Sequence, residues 1–319
     1  TILSVEGLKT YYPIKKGILQ RTVGWIKAVD SIDIELKKSS TLALVGESGC
    51  GKTTAGKSIV HLIKPTSGRV VFDGIELTRL RGDEIRKLRK RFQFIFQDPY
   101  SSLDPRMLAG EIIEEGLRVH FPNMSKVERR EKILETLKNV GLKPNMVSRY
   151  PHEFSGGQRQ RLGIARALAV GPDFIVCDEA VSALDVSVRA QILNLLIEIQ
   201  SKYGISYLFI THDIGVVEYM ADEVAVMYLG KIVERGMMEE VIDDPRHPYT
   251  KALLSAVPTI DDKKERKISV LGDVASPADP PKGCHFHPRC PERLSHCHLS
   301  YPEYVTFSQT HGCHCFLYS

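Results

Sequence analysis

The chain has 319 residues, 43% hydrophobic and 26% charged, which is the balance of a globular protein with room for one large domain or two ordinary ones. Lys and Arg number 43 against 39 Asp and Glu, and a net charge of +4 excludes the strong basic bias of a dedicated nucleic-acid binder. No apolar run approaches the roughly 18 residues that span a bilayer, and the opening TILSVEGLKT has no secretory pattern, so a cytosolic chain is expected.

In chain order, the apolar run TLALV at 41–45 reads as a strand ending in a Gly-rich loop at Gly46. A helix is predicted from Lys52 to about Ile63, stopped by Pro65. A second strand falls at 92–96 (FQFIF), followed by a helical insertion at about 100–165. Within it, Ser125 and Glu128 form a capping box ahead of the apolar side made by Ile133, Leu134 and Leu137. Further strands are predicted at 174–177 (FIVC) and 206–210 (SYLFI). Between them Val188, Ile192, Leu195, Leu196 and Ile199 repeat at helical spacing, with Gly204 as the stop. Strands alternating with helices imply an α/β fold with a mostly parallel sheet covered on both faces. Pro245, Pro248 and Pro258, then the charged run Asp261 to Lys267, mark a junction, giving domains at 1–242 and 243–319.

Three segments carry chemistry. GESGCGKT at 46–53 fits G-x-x-x-x-G-K-[ST] between a strand and a helix, a match expected by chance in roughly one chain of this length in a hundred. Its backbone N–H groups and helix N-terminus attract phosphate, Lys52 reaches the β/γ-phosphates, and the Thr53 hydroxyl can ligate Mg²⁺. FIVCDE at 174–179 ends a strand in two acids, where Asp178 can hold Mg²⁺ through water and Glu179 can polarise an attacking water. FSGGQRQR at 154–161 suits either a plain helix start capped by Ser155 or a second phosphate site built from the Ser155 hydroxyl and the Gly157 N–H.

Five of the seven cysteines and six of the eleven histidines crowd into residues 284–319. In a reducing compartment such a cluster reads as a metal site rather than a disulfide framework. Cys284, Cys290, Cys297 and Cys313 follow C-x5-C-x6-C-x15-C, which serves a [4Fe–4S] cluster or a tetrahedral Zn²⁺ equally. Cys315 can substitute for Cys313. Cys50 and Cys177 read as structural thiols.

Taken together these motifs resemble the ATP-binding-cassette (ABC) family. The order is the loop at 46–53, Gln97, SGGQ at 155–158, Asp178–Glu179, SALD at 182–185 and His212 in THD. The resemblance implies a P-loop ATPase core with an antiparallel β subdomain, a helical insertion and a small Cys-rich C-terminal domain. It implies ATP and Mg²⁺ as cofactors and a head-to-tail dimer that sandwiches each ATP. Gly46, Glu47, Ser48, Gly49, Cys50, Gly51, Lys52, Thr53 and Thr54 would then hold the phosphates, with Tyr12, rather than Tyr11, on the adenine. Thr53, Gln97 and Asp178 would serve Mg²⁺, Glu179 would be the general base, and His212 would contact the γ-phosphate. Ser155, Gly156, Gly157 and Gln158 would close on the partner's ATP, and Asp185 would set the geometry between the two sites. Phe154 stands where many members have Leu, and Ala180 replaces the usual Pro after Glu179; neither removes a reacting group.

A finer resemblance rests on YYPIKKG at 11–17, FIFQDPYSSLDPR at 94–106, RYPHEFSGGQRQR at 149–161, HPYTKALLSAVP at 247–258 and GCHFHPRCP at 283–291. These look like the second, F-type ATP-binding subunit of dipeptide and oligopeptide importers, with nickel importers nearby. That group's tail motif is associated with an iron–sulfur cluster, and its ending of one Cys followed by His selects Cys313. The resemblance implies a second ATPase subunit, distinct or identical, two transmembrane permeases and a separate extracytoplasmic substrate-binding protein. It places the chain peripherally on the cytoplasmic face of a bacterial membrane, with no nucleic acid bound. The rival readings are a soluble ABC ATPase of repair or translation and an iron–sulfur sensor switched by ATP.

Overall fold

The computed structural model describes residues 1–18, 20–256 and 275–319. Pro258 and the run Asp261 to Lys267 therefore lie outside the described residues. The chain forms two compact units, residues 1–35, 41–78 and 211–319 in the first and 36–40 and 79–210 in the second. The units do not divide at residue 242. The Cys-rich tail belongs to the same unit as the Gly-rich loop.

In the first unit, a sheet runs in the order Arg21–Leu36, Leu3–Lys16, Ser67–Phe72, Ile75–Glu76, with the last three strands antiparallel to their neighbours in that run. A second set of strands carries the loop. Thr41–Val45 lies parallel to Glu223–Tyr228, which pairs antiparallel with Lys231–Met237. Gly312–His314, from the tail, adds antiparallel to that hairpin with Glu234 opposite Cys313, and Tyr304–Thr306 adds outside it. Every residue of Thr41–Val45 is buried, which is why the run reads as uninterrupted apolar sequence rather than alternating. Its side chains Ala43 and Val45 share one core with Val224, Val226, Tyr228, Tyr249 and Phe286. Tyr228, Tyr249 and Phe286 meet ring to ring, with centroids 4.6 to 5.3 Å apart. A tail residue is thus packed into the core behind the phosphate-loop strand, where a Phe contributes about 2–3 kcal/mol by removal from water.

The helix after the loop is Lys52–Ile59, shorter than the run to Ile63 expected from Pro65. His61 takes a left-handed φ of 55° and its N–H donates to the Ser58 carbonyl, while the Leu62 N–H reaches back to Lys57 at 2.8 Å. These two bonds close the last turn before the proline is reached, so the backbone rather than Pro65 ends the helix.

In the second unit, Phe92–Ile95, Phe174–Asp178 and Ser206–Thr211 pair in parallel, Phe174–Asp178 between the other two. Phe174–Asp178 and Ser206–Thr211 are buried throughout, as expected for strands covered on two faces. Helices Ala109–His120, Lys126–Asn139 and Gly156–Leu168 form the helical part, and Ser125 and Glu128 make the expected reciprocal cap. Val186–Tyr203 stops at Gly204, whose φ of 66° is the left-handed cap that the sequence signalled. Among the described residues, no helix is long and apolar enough to cross a membrane.

Candidate functional site

The Gly-rich loop is fixed from several sides. A Cβ on Gly46 would sit 2.1 Å from the Met227 carbonyl oxygen, and one on Gly51 would sit 1.9 Å from that of Ala28. Gly51 also has a φ of 110°, so both space and backbone geometry restrict the position to glycine. Cys50 accepts the Gly230 N–H through its carbonyl, and its thiol is buried, which pushes its pKa above the ordinary value by desolvation. Cys50 therefore packs the loop and is a poor nucleophile. Lys52 is only 4% exposed, and its ammonium donates to the carbonyls of Gly46 at 2.6 Å and Glu47 at 2.9 Å. Ser48 and Gly49 are exposed, and Thr53 and Thr54 are half-buried at the helix start. Backbone N–H groups at a helix start beside an ammonium attract phosphate.

Glu47 has two partners that no local motif announces. Its N–H donates to the Tyr249 hydroxyl at 2.8 Å. Its carboxylate accepts a forked pair from Arg289, at 2.8 Å and 3.1 Å. Arg289 belongs to the HPRC segment of the tail, and the quoted motif was the one signal that could have drawn attention to it.

Elsewhere in the first unit, His212 is exposed just beyond Ser206–Thr211, and Asp213 caps the helix that follows by accepting from Gly215. The Tyr11 hydroxyl donates to Asp30, which commits that ring, whereas Tyr12 is exposed on the same strand.

The second unit carries the acids. Asp178 is buried at the carboxyl end of its strand. Glu179 follows with a φ of 45°, a left-handed conformation uncommon for a residue with a side chain. Its N–H donates to Ile210, and its carbonyl accepts the Ser182 hydroxyl and N–H, so the turn is held at both ends. Gln97 donates from Nε2 to the Glu179 carboxylate at 2.8 Å. The structure thus brings Gln97 and Glu179 together.

Ser155 and Gln158 form a reciprocal cap at the start of Gly156–Leu168. The hydroxyl is the acceptor in that cap, which leaves its proton to donate to an anion, so cap and anion site are compatible. Phe154 is buried, a packing residue as expected. Arg159, not anticipated, braces this approach by donating to the carbonyls of Pro151 and His152 and lying 3.9 Å over the Tyr100 ring. Asp185 caps Val186–Tyr203 by accepting from Val188, and Ser187 adds its hydroxyl, which holds the carboxylate below its usual range.

Comparison with known proteins identifies the family. Residues 29–182 match the family model described as ABC transporter. Residues 233–297 match that of the oligopeptide/dipeptide transporter, C-terminal region. The chain belongs to the ABC transporter ATPases. It is 49% identical, over all of its length and 98% of the relative's, to the oligopeptide transport ATP-binding protein AppF of Bacillus subtilis. It is 47% identical to the dipeptide transport ATP-binding protein DppF of Haemophilus influenzae, over 94% of this chain and 92% of that one. Among solved structures, a dimeric ATP-binding cassette in a post-hydrolysis state bound to ADP and Pi superimposes with a TM-score of 0.66 at 29% identity. That match covers 74% of this chain and 98% of the other. As an ABC ATPase the chain hydrolyses ATP, with Mg²⁺ expected.

In the tail of this ABC ATPase the alternative thiol, Cys315, lies with the other three. Cys284, Cys290, Cys297 and Cys315 line one closed cavity with His247, Phe286 and His287, and Cys313 is not among its lining residues. Cys313 instead sits fully buried in the strand opposite Glu234, because the chain turns out of the sheet after His314. None of the seven cysteines is in a disulfide. Desolvation pushes the Cys284 thiol up to about 12 and the Cys290 thiol up to about 11. A soft cation offsets this cost, so the donor chemistry fits such a centre. Among the described residues, no group of three or more His, Cys, Asp or Glu side chains stands in metal-holding geometry, so the thiols as packed must shift to take one.

Proposed function

We propose that this chain is the ATP-hydrolysing subunit of a peptide importer, driving uptake through separate membrane subunits. The observation that carries this reading is near-complete coverage, by one chain, of relatives named for oligopeptide and dipeptide transport. Its C-terminal match to the oligopeptide/dipeptide transporter region supports it, since that region lies outside the generic cassette. In this reading Lys52 and the loop from Gly46 to Thr54 hold the phosphates, Thr53, Gln97 and Asp178 serve Mg²⁺, and Tyr12 stacks on the adenine. Glu179 activates the attacking water, His212 contacts the γ-phosphate, and Ser155 to Gln158 with Asp185 act at the partner's nucleotide. A second ATPase subunit, two permeases and an extracytoplasmic binding protein complete the machine, and the chain sits peripherally on the inner face of the membrane.

The tail thiols Cys284, Cys290, Cys297 and Cys315 are proposed to hold a metal centre. The family resemblance favours an iron–sulfur cluster, with a single Zn²⁺ as the alternative that the same thiols would serve.

Reconstitution of the chain with its neighbouring transport subunits in vesicles tests the main reading. Peptide uptake that needs ATP and is lost with Glu179→Gln supports it. ATP hydrolysis without any peptide-dependent uptake or stimulation overturns it in favour of a soluble ATPase.

A further inference from the structure

The phosphate loop of this chain contains an acid, Glu47, among groups whose task is to attract a triphosphate. A carboxylate there opposes the positive potential of the loop amides and Lys52. The structure supplies a counter-charge from far along the sequence. The two guanidinium Nη atoms of Arg289 donate to the two carboxylate oxygens of Glu47 at 2.8 and 3.1 Å, the parallel fork that only Arg can make. Arg289 itself is held. Its side chain is 10% exposed, its guanidinium lies 5.9 Å from the Tyr228 ring and 6.0 Å from the Phe286 ring, and Nη1 also reaches the Tyr228 hydroxyl at 3.4 Å. Those rings belong to the core behind the loop strand. Tyr249, a third member of that core, accepts the Glu47 N–H. Glu47 is therefore pinned at both its backbone and its carboxylate by side chains from the C-terminal third of the chain.

We propose that Arg289 is a positioning residue of the nucleotide site: it neutralises Glu47 and holds the phosphate loop in the shape that receives ATP. The tail is on this view part of the nucleotide-binding apparatus rather than an appendage to it. Because Arg289 immediately precedes Cys290, whatever the thiol cavity holds sits one residue from the clamp. The inference rests on the ATPase reading above, but not on the metal or the peptide.

The prediction is a split between binding and turnover. Arg289→Ala unmasks the Glu47 charge and raises the Kd and KM for ATP roughly tenfold, the scale of one lost charge-assisted interaction, while kcat stays within about twofold. Arg289→Lys keeps the charge without the fork and restores part of the affinity. In a Glu47→Gln background there is no carboxylate to mask, so adding Arg289→Ala changes KM less than twofold. Binding is read with a fluorescent ATP analogue and turnover by phosphate release, on the full chain in its transport complex, with thermal melts as the folding control. If Arg289→Ala does not fold, the same cycle is run with Arg289→Lys. Wild-type affinity in Arg289→Ala, or equal KM effects of the Arg289 change with and without Glu47, overturns the proposal. Failure of the wild-type complex to bind ATP overturns the ATPase reading instead, so the two failures are separable.

Discussion

Gln97 donates its side-chain amide to the carboxylate of Glu179 at 2.8 Å, joining the end of one strand region to the end of its neighbour. The relationship matters because Glu179 also carries a φ of 45°, a backbone state that costs energy and persists only where its surroundings impose it. Here the surroundings are the Ile210 carbonyl, the Ser182 hydroxyl and N–H, and the Gln97 amide. The carboxylate is thereby aimed rather than left to rotate.

On the proposed reading this carboxylate is the base. Glu179→Gln keeps the shape and the hydrogen-bonding length of the side chain but removes its proton acceptor. ATP binding is expected to persist while turnover falls by ~10²–10⁴-fold, the usual contribution of a general base. Steady-state phosphate release alongside equilibrium nucleotide binding checks it. Wild-type turnover in the variant would move the base elsewhere.

Gly51 sets a second expectation. Any side chain there meets the Ala28 carbonyl at 1.9 Å and is forced into a φ of 110°. Gly51→Ala therefore distorts the loop itself, with a stability loss above about 1 kcal/mol and loss of ATP affinity together. Gly49→Ala is the control, since nothing lies within 4 Å of that position, although its φ of 79° still strains the backbone. The melting temperature and nucleotide affinity of Gly51→Ala should both fall below those of Gly49→Ala.

The tail cysteines separate two ligand sets that sequence spacing leaves open. If Cys315 faces the other three thiols, Cys315→Ser removes most of the bound metal, whereas Cys313→Ser keeps it. Iron, zinc and acid-labile sulfide per chain, measured on anaerobically purified protein, give the answer directly. About four irons and four sulfides identify a cluster, and one zinc without sulfide identifies a single ion. Loss of metal in Cys313→Ser alone would return the assignment to the family spacing.

Much of this was legible in the sequence, and the reasons are local. The buried strands read as continuous apolar runs, Ser125 with Glu128 announced a helix start, and Gly204 announced a stop. The phosphate loop is legible because its residue types and spacing are dictated by backbone N–H groups and tight turns. What was not legible depends on contacts distant in sequence. Arg289 lies 242 residues from Glu47, and no local pattern encodes that pairing. The choice between Cys313 and Cys315 depends on where the last short strand ends, which a spacing count does not contain. The helix end at His61 turned on a left-handed residue that is not glycine, so Pro65 looked like the stop.

One buried acid joins the tail to the rest of its unit, and this yields the last prediction. Glu234 is completely buried in Lys231–Met237 and accepts three donors: the Arg246 N–H at 2.7 Å, the His247 N–H at 2.8 Å and the His311 Nε2 at 2.8 Å. The first two donors lie at the start of Pro248–Ser255, and the third lies beside the tail strand Gly312–His314. One carboxylate thus satisfies three groups from two segments, and a buried donor left without a partner costs about 1–3 kcal/mol. Glu234→Ala strands all three and is expected to destabilise the first unit by ~3 kcal/mol or more. Glu234→Gln retains one carbonyl oxygen but turns an amide N–H₂ toward donors, so it should lose somewhat less. Urea melts give the stability, and limited proteolysis shows whether cleavage rises between residues 275 and 319. If both variants melt like the wild type with an unchanged digestion pattern, the tail is anchored chiefly by Phe286 and its ring contacts rather than by Glu234.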